Sequence, residues 1–218
     1  MPFVRCVVPR QVYRICYGDD PLAPLPLELY IDKNRKPNRW DPHDYSYRVL
    51  YTADTFENAF KEIIADLIPR REALAILSTI DVEPGDETEV DVPEAIYKFL
   101  EERSAATLIA PEAFVVRIDE AQSRQMVAEA LEMDRTPKIG DFIGSEIDLP
   151  RNASKVVRDD KEFGIACSSA ITPGSVNFSF FEAGSYSGKW MLDFVPHGVR
   201  PSLEESLYLR LAMEDFGF

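Results

Sequence analysis

Histidine and cysteine are scarce in this chain, with two and three residues among 218, and none sits where a metal centre or a disulfide framework needs it. His43 and His197 lie far apart and outside any HExxH or Cys/His spacing, so the sequence gives no basis for a metal site. Cys6, Cys16 and Cys167 form an odd set with no CxxC arrangement, which reads as free thiols in a reducing, cytoplasmic compartment. Long apolar runs are also missing. Val7 and Val8 near the start are soon followed by Arg10 and Arg14, and no later stretch approaches the roughly 20 apolar residues of a membrane span, so a soluble, unexported protein is expected. Neither a GxGxxG turn nor a P-loop appears, so any nucleotide must be held in another way. Without a GxSxG elbow, Ser168 and Ser169 read as strand-end residues rather than hydrolase nucleophiles. A cysteine nucleophile would need Cys16 or Cys167 beside a histidine, and nothing local specifies such a pair.

Basic charge is the minority sign: 24 Lys and Arg stand against 38 Asp and Glu, for a net charge of -14. Such a field repels phosphate backbones and anionic lipid, which argues against nucleic acid or a membrane as a direct partner. It opposes a dinucleotide as well, so a site for one must gather arginines that reverse the sign locally.

A chain of this length is expected to form one domain over residues 1–218. Pro21, Pro24, Pro26 and Pro37 predict a rigid non-helical connection. Aromatic and branched residues over 47–51 predict a strand that runs into a helix starting at Asp54 and Thr55. In that helix Phe56, Ala59, Phe60, Ile63, Ile64 and Leu67 fall on one face, and Pro69 closes it. An acidic turn over 83–91 precedes a short helix opened by Val92 and Pro93 and running through Leu100. A strand over 114–118 and a helix from about Gln122 to Leu131 come next, then a polar stretch to about Asn152 that reads as a loop. Strands over 164–167, 176–181 and 189–194, with a final helix from about Ser202, complete the chain. The irregular alternation of strands and helices gives an α+β class rather than a doubly wound sheet.

Several segments, taken in order, resemble one family. Asn38-Arg39-Trp40 is followed by Tyr47-Arg48-Val49-Leu50-Tyr51, and Glu62 stands eleven positions after Tyr51 on the next helix. Val12-Tyr13-Arg14-Ile15 stands earlier, where the family has its opening strand, and the run 164–170 with Ser169, then Pro173-Gly174-Ser175-Val176-Asn177, follows later. This order and spacing resemble the RES domain of bacterial toxin–antitoxin systems. Two departures stand out: Asn38 occupies a place where glycine is frequent in the family, and Thr52-Ala53-Asp54 replaces the commoner Leu-Ala-Glu.

The resemblance implies an ADP-ribosyltransferase-like fold, with two packed β-sheets and flanking helices around an NAD cleft. It implies an enzyme that breaks the nicotinamide–ribose bond of NAD⁺, with NAD as substrate and no prosthetic group. Glu62, Tyr51 and Ser169 would be catalytic, and Arg14, Arg39 and Tyr51 would bind the dinucleotide. A small Xre-like antitoxin with a helix-turn-helix part would be the partner, and homo-oligomers are compatible with the family. The acceptor of ADP-ribose stays open between water, phosphate and a protein side chain.

The residues alone would not select this set. Glu62 lies roughly opposite the apolar stripe, where periodicity assigns a solvated face. Arg14 would be a strand arginine, Arg39 a surface arginine and Tyr51 a core aromatic with a bonded hydroxyl. Two other readings therefore stand beside NAD⁺ cleavage: a protein ADP-ribosyltransferase, and a non-catalytic module whose acidic surface binds a basic partner.

Overall fold

Strand β2, Gln11–Tyr17, shows how the chain builds its sheet: aromatic and branched side chains alternate, and all seven residues pair antiparallel with β4, Arg103–Ile109. The structure, a computed structural model, describes residues 2–32, 37–67, 103–144 and 146–200. The helices expected over 92–100 and from Ser202, and the acidic turn at 83–91, lie outside the described residues. The remaining strands are β1 (Arg5–Val7), β3 (Val49–Ala53), β5 (Phe114–Arg117), β6 (Gly164–Ser168), β7 (Val176–Phe181) and β8 (Val195–Arg200). Helices α1 (Leu27–Tyr30), α2 (Phe56–Leu67), α3 (Ala121–Ala130), α4 (Gly140–Ile143) and α5 (Asp148–Asp159) connect them. No helix among the described residues is long and apolar enough to cross a membrane.

The eight strands form one sheet in the order β1-β5-β6-β7-β3-β2-β4-β8, and every pairing is antiparallel except β5 with β6. At about 4.8 Å per strand, β5 and β4 would be about 24 Å apart in a flat sheet. Yet Val115 of β5 and Leu108 of β4 share a buried cluster with Val12, Leu50, Phe178 and Phe180. The sheet therefore folds over and encloses this cluster on its inner face. The expectation of two packed sheets is corrected accordingly: the hydrogen bonds make one sheet, joined between its halves by the single β2–β3 pair Tyr13↔Ala53.

On the outer face Val49, Val116, Ile165 and Phe181 pack beneath the helices, with Val127 of α3, Phe142 of α4, and Ala153 and Val157 of α5. Helix α2 forms where its apolar spacing predicts it, and the Thr55 hydroxyl caps it by accepting the Asn58 N–H at 3.1 Å. Ala59, Phe60 and Ile64 are its buried apolar residues, and Asn58 and Lys61 are buried beside them. Burial of this face, rather than helix propensity, holds a helix of three turns.

Several elements differ from expectation. A short helix, α1, interrupts the proline-rich connection, and its buried Tyr30 donates to the Tyr47 carbonyl at 2.7 Å. Within the stretch expected to be a loop to Asn152, residues 140–143 form α4 and residues 148–152 begin α5. The buried face of α5 consists of Pro150, Arg151, Ala153, Ser154 and Val157, a polar mixture that no apolar stripe announces. The strand expected over 189–194 is reduced to one bridge, Glu182↔Trp190, and the chain pairs instead over Val195–Arg200. Pro196 is tolerated there because β8 is an edge strand beside a register shift at Thr107 and Leu108.

Gly164 sits where β6 leaves no room for a side chain, since a Cβ there would overlap the carbonyl oxygen of Ser179 on β7. Gly164→Ala should therefore lower stability by about 1–3 kcal/mol, the usual cost of forcing extra volume into a packed interior. Chemical denaturation of the variant, with an unchanged slope and a lower midpoint, is the expected result.

Candidate active site

The start of α2 is tied to β7 in both directions: the Asp54 N–H donates to the Val176 carbonyl at 3.0 Å, and the Val176 N–H donates to Asp54 Oδ2 at 2.9 Å. This fixes the helix over the sheet, and two turns later it presents Glu62, half-buried, to the end of β7. Glu62 Oε1 accepts the Ser169 hydroxyl at 2.6 Å and the Asn177 amide Nδ2 at 2.7 Å. Among the described residues Glu62 Oε2 has no partner.

Both donors are themselves held. Ser169 Oγ accepts the N–H groups of Ile171 at 3.1 Å and Thr172 at 2.9 Å, which fill its lone pairs and leave its proton for Glu62. Asn177 Oδ1 accepts Asn58 Nδ2 at 2.9 Å, which turns its amide nitrogen toward Glu62. The result is a carboxylate anchored at one oxygen and open at the other.

Tyr51 and Arg39 belong to the same side of the sheet. Tyr51 opposes Ser179, Asn177 opposes Ala53, and Ala53 opposes Tyr13, so these side chains share one face. The Tyr51 hydroxyl donates to Asp41 Oδ1 at 3.1 Å and accepts the Trp40 N–H at 3.0 Å. Burial first, then the charge of Asp41, pushes its pKa well up, so Tyr51 is a neutral phenol that ties down the loop beside Arg39. Arg39 Nη1 donates to the carbonyls of Phe142 and Gly144, each at 2.8 Å, at the C-terminal end of α4. Its guanidinium acts on Cys167, which opposes Asn177 across β6 and β7. Burial, with Asp119 alongside, nevertheless pushes the Cys167 thiol up to about 12, so it is no nucleophile.

Arg14 is placed differently. Tyr13 packs its ring on Phe56 of α2 with centroids 4.5 Å apart, and strand alternation turns Arg14 to the opposite, inner face. Its Nη1 is enclosed without a partner, and burial lowers its pKa to about 10, against the pull of Cys16 and Asp20. The structure thus brings Glu62 and Ser169 into contact, sets Tyr51 and Arg39 on their face, and puts Arg14 across the sheet from them. Two open cavities, of about 540 Å³ beside Arg10, Gln11 and His197 and about 360 Å³ beside Arg5 and Phe163, contain none of these five residues.

Asn58, Asn177 and Asp41 were not singled out by sequence reasoning. Asn58 is the one with a readable sign, as it stands one helical turn before Glu62, at i and i+4.

This folded sheet with helices on its outer face is an architecture found in a toxin–antitoxin assembly. A chain in the crystal structure of the M. tuberculosis MbcT–MbcA toxin–antitoxin complex matches it with a TM-score of 0.53 and 17% identity, covering 94% of this chain and 89% of that one. At that identity the likeness speaks for the fold. No family model matches the sequence, and no curated protein matches it.

Proposed function

We propose that this chain is a RES-type toxin that breaks the nicotinamide–ribose bond of NAD⁺ and is restrained by a small Xre-like antitoxin. The observation that carries the reading is Glu62, anchored at Oε1 by Ser169 and Asn177 with Oε2 unengaged. Nicotinamide leaves with the electron pair of the C–N bond, so positive charge grows on the ribose carbon and ring oxygen as that bond lengthens. A fixed carboxylate facing that charge binds the transition state better than the ground state. Water, phosphate or a protein side chain then captures the sugar carbon.

Ser169 orients Glu62, and Tyr51 secures the loop that carries Arg39. Arg39 keeps Nε and Nη2 for the pyrophosphate, while Nη1 stays tethered to α4. Arg14, on the inner face, takes part only for a dinucleotide that reaches across the β2–β3 seam. The antitoxin reading draws on the fold likeness, and the net charge of -14 favours a basic partner surface.

The test is to incubate the purified protein with NAD⁺, with and without phosphate, and to identify the products by mass spectrometry. Free nicotinamide with ADP-ribose, or with phosphorylated ADP-ribose when phosphate is present, is expected. Label retained on protein would instead make the chain a protein ADP-ribosyltransferase, and no loss of NAD⁺ would leave the acidic interaction module.

Arg39→Lys should weaken NAD⁺ binding about tenfold or more, since lysine cannot keep the carbonyl tether and the fork together. Calorimetry that gives wild-type affinity for the variant would remove Arg39 from the site.

A further inference from the structure

Asn58 is fully buried on α2, one turn before Glu62, and its side chain joins two acidic neighbourhoods. Its Nδ2 donates to Asn177 Oδ1 at 2.9 Å and to Asp54 Oδ1 at 3.3 Å, while its Oδ1 is enclosed and accepts nothing. An orphaned buried acceptor is costly, and turning the amide over would give that oxygen a donor only if Asn177 turned as well. Asn177 would then present its own Oδ1 to Glu62 Oε1, acceptor against acceptor.

We infer that Asn58 is a positioning residue for Glu62: through the hydrogen-bond polarity it passes to Asn177, it keeps a donor, and not an acceptor, against the carboxylate. The polarity has a fixed origin. The Asp54 carboxylate can only accept, and its second oxygen is taken by the Val176 N–H, so Asn58 must offer its nitrogen on that side. One direction of donation then runs from Asn58 to Asn177 and from Asn177 to Glu62. A second arm runs from the Ile171 and Thr172 N–H groups through Ser169 to the same oxygen. Because both arms end on Oε1, they fix the rotation of the carboxyl group and leave Oε2 as the oxygen that faces a ligand. The unpaired Asn58 oxygen is the cost of this arrangement.

This inference rests on the reading of Glu62 as the group that opposes charge on ribose, so its test has one arm that needs no turnover. Asn58→Asp has the same shape and, once ionised, only accepts, and Asn58→Ala removes the link without reversing it. With NAD⁺ as substrate, Asn58→Asp should lower kcat on the order of 10²-fold and Asn58→Ala by about tenfold or less, with KM little changed, as expected for a misplaced group. The second arm follows the Asn177 side-chain amide resonances by NMR, identified by their loss in Asn177→Asp. In the otherwise wild-type protein they should shift when Glu62 is changed to Gln, and in the Asn58→Asp or Asn58→Ala background that response should be lost or much reduced.

The inference is overturned if Asn58→Ala keeps both full kcat and an undisturbed Asn177 response, whether or not Asn58→Asp folds. It is equally overturned if kcat falls only in step with the folded fraction measured by circular dichroism. If the wild-type protein leaves NAD⁺ intact but the resonances behave as expected, the functional reading fails while the role of Asn58 in orienting Glu62 stands.

Discussion

Glu62→Gln is expected to reduce the proposed NAD⁺ cleavage by about 10²–10³-fold while leaving the melting temperature close to wild type. The side-chain oxygen of glutamine can still accept the Ser169 hydroxyl and the Asn177 amide, so the local hydrogen bonds and shape persist. What disappears is the negative charge. That loss matters little before the bond breaks and most when the sugar carbon is positive, so kcat should fall far more than KM rises. Steady-state kinetics on a variant shown to be folded would check it, and near-normal turnover would take Glu62 out of the chemistry.

Breaking the ion pair between Arg48 and Glu182 should have the largest effect on stability. Glu182 is fully buried and accepts the Arg48 backbone N–H at 3.0 Å, Arg48 Nε at 3.1 Å, Arg48 Nη2 at 2.6 Å and the Gly188 N–H at 2.7 Å. Arg48→Met leaves a buried carboxylate without its cation, at an expected cost of about 3–5 kcal/mol. The pH dependence has a definite sign. Burial pushes the Glu182 pKa up, but the Arg48 hydrogen bonds, the Gly188 N–H and the Arg48 charge outweigh it and hold the group below its ordinary 4.5. A carboxyl held low in the folded state contributes stability that is fully present above its unfolded pKa and is lost as pH falls through the folded value. Melting temperatures between about pH 7 and pH 3 should therefore fall for the wild-type protein, with the gap to Arg48→Met narrowing toward acid. A gap that stays constant would show that Glu182 does not titrate with folding.

The parts of the fold legible in the sequence are those whose burial is apolar and periodic. Helix α2 announces itself by Phe56, Phe60 and Ile64, and β7 by the aromatic run that ends in Phe180 and Phe181. Helix α5 is hidden because two of its inward residues, Arg151 and Ser154, are polar. They bury themselves by bonding to the Asp41 and Pro42 carbonyls and to the Tyr47 hydroxyl. The side chains over 189–194 suit a strand, but pairing depends on which neighbour is within reach, and only Trp190 forms a bridge, with Glu182.

The site divides in the same way. Residue statistics place Glu62 in solvent, and periodicity cannot show that the surface it faces is the end of β7 rather than water. The resemblance to the RES pattern points to Glu62 and Ser169, and the structure finds them 2.6 Å apart. The side on which Arg14 lies depends on the register of Tyr13 against Ala53, a long-range pairing that no local pattern encodes.

That pairing has a mechanical corollary. One position joins β2 to β3, whereas five join β3 to β7 and seven join β2 to β4, so the cheapest place to part the backbone ladder lies between the two halves. Ser169 and Asn177 sit on the β7 side of it and are hydrogen-bonded to Glu62 and Asn58, while the helix that carries those two also rests Phe56 on Tyr13 of β2. Helix α2 spans that joint from outside, so strain applied there would be shared between the Phe56–Tyr13 contact and the hydrogen bonds that hold the carboxylate.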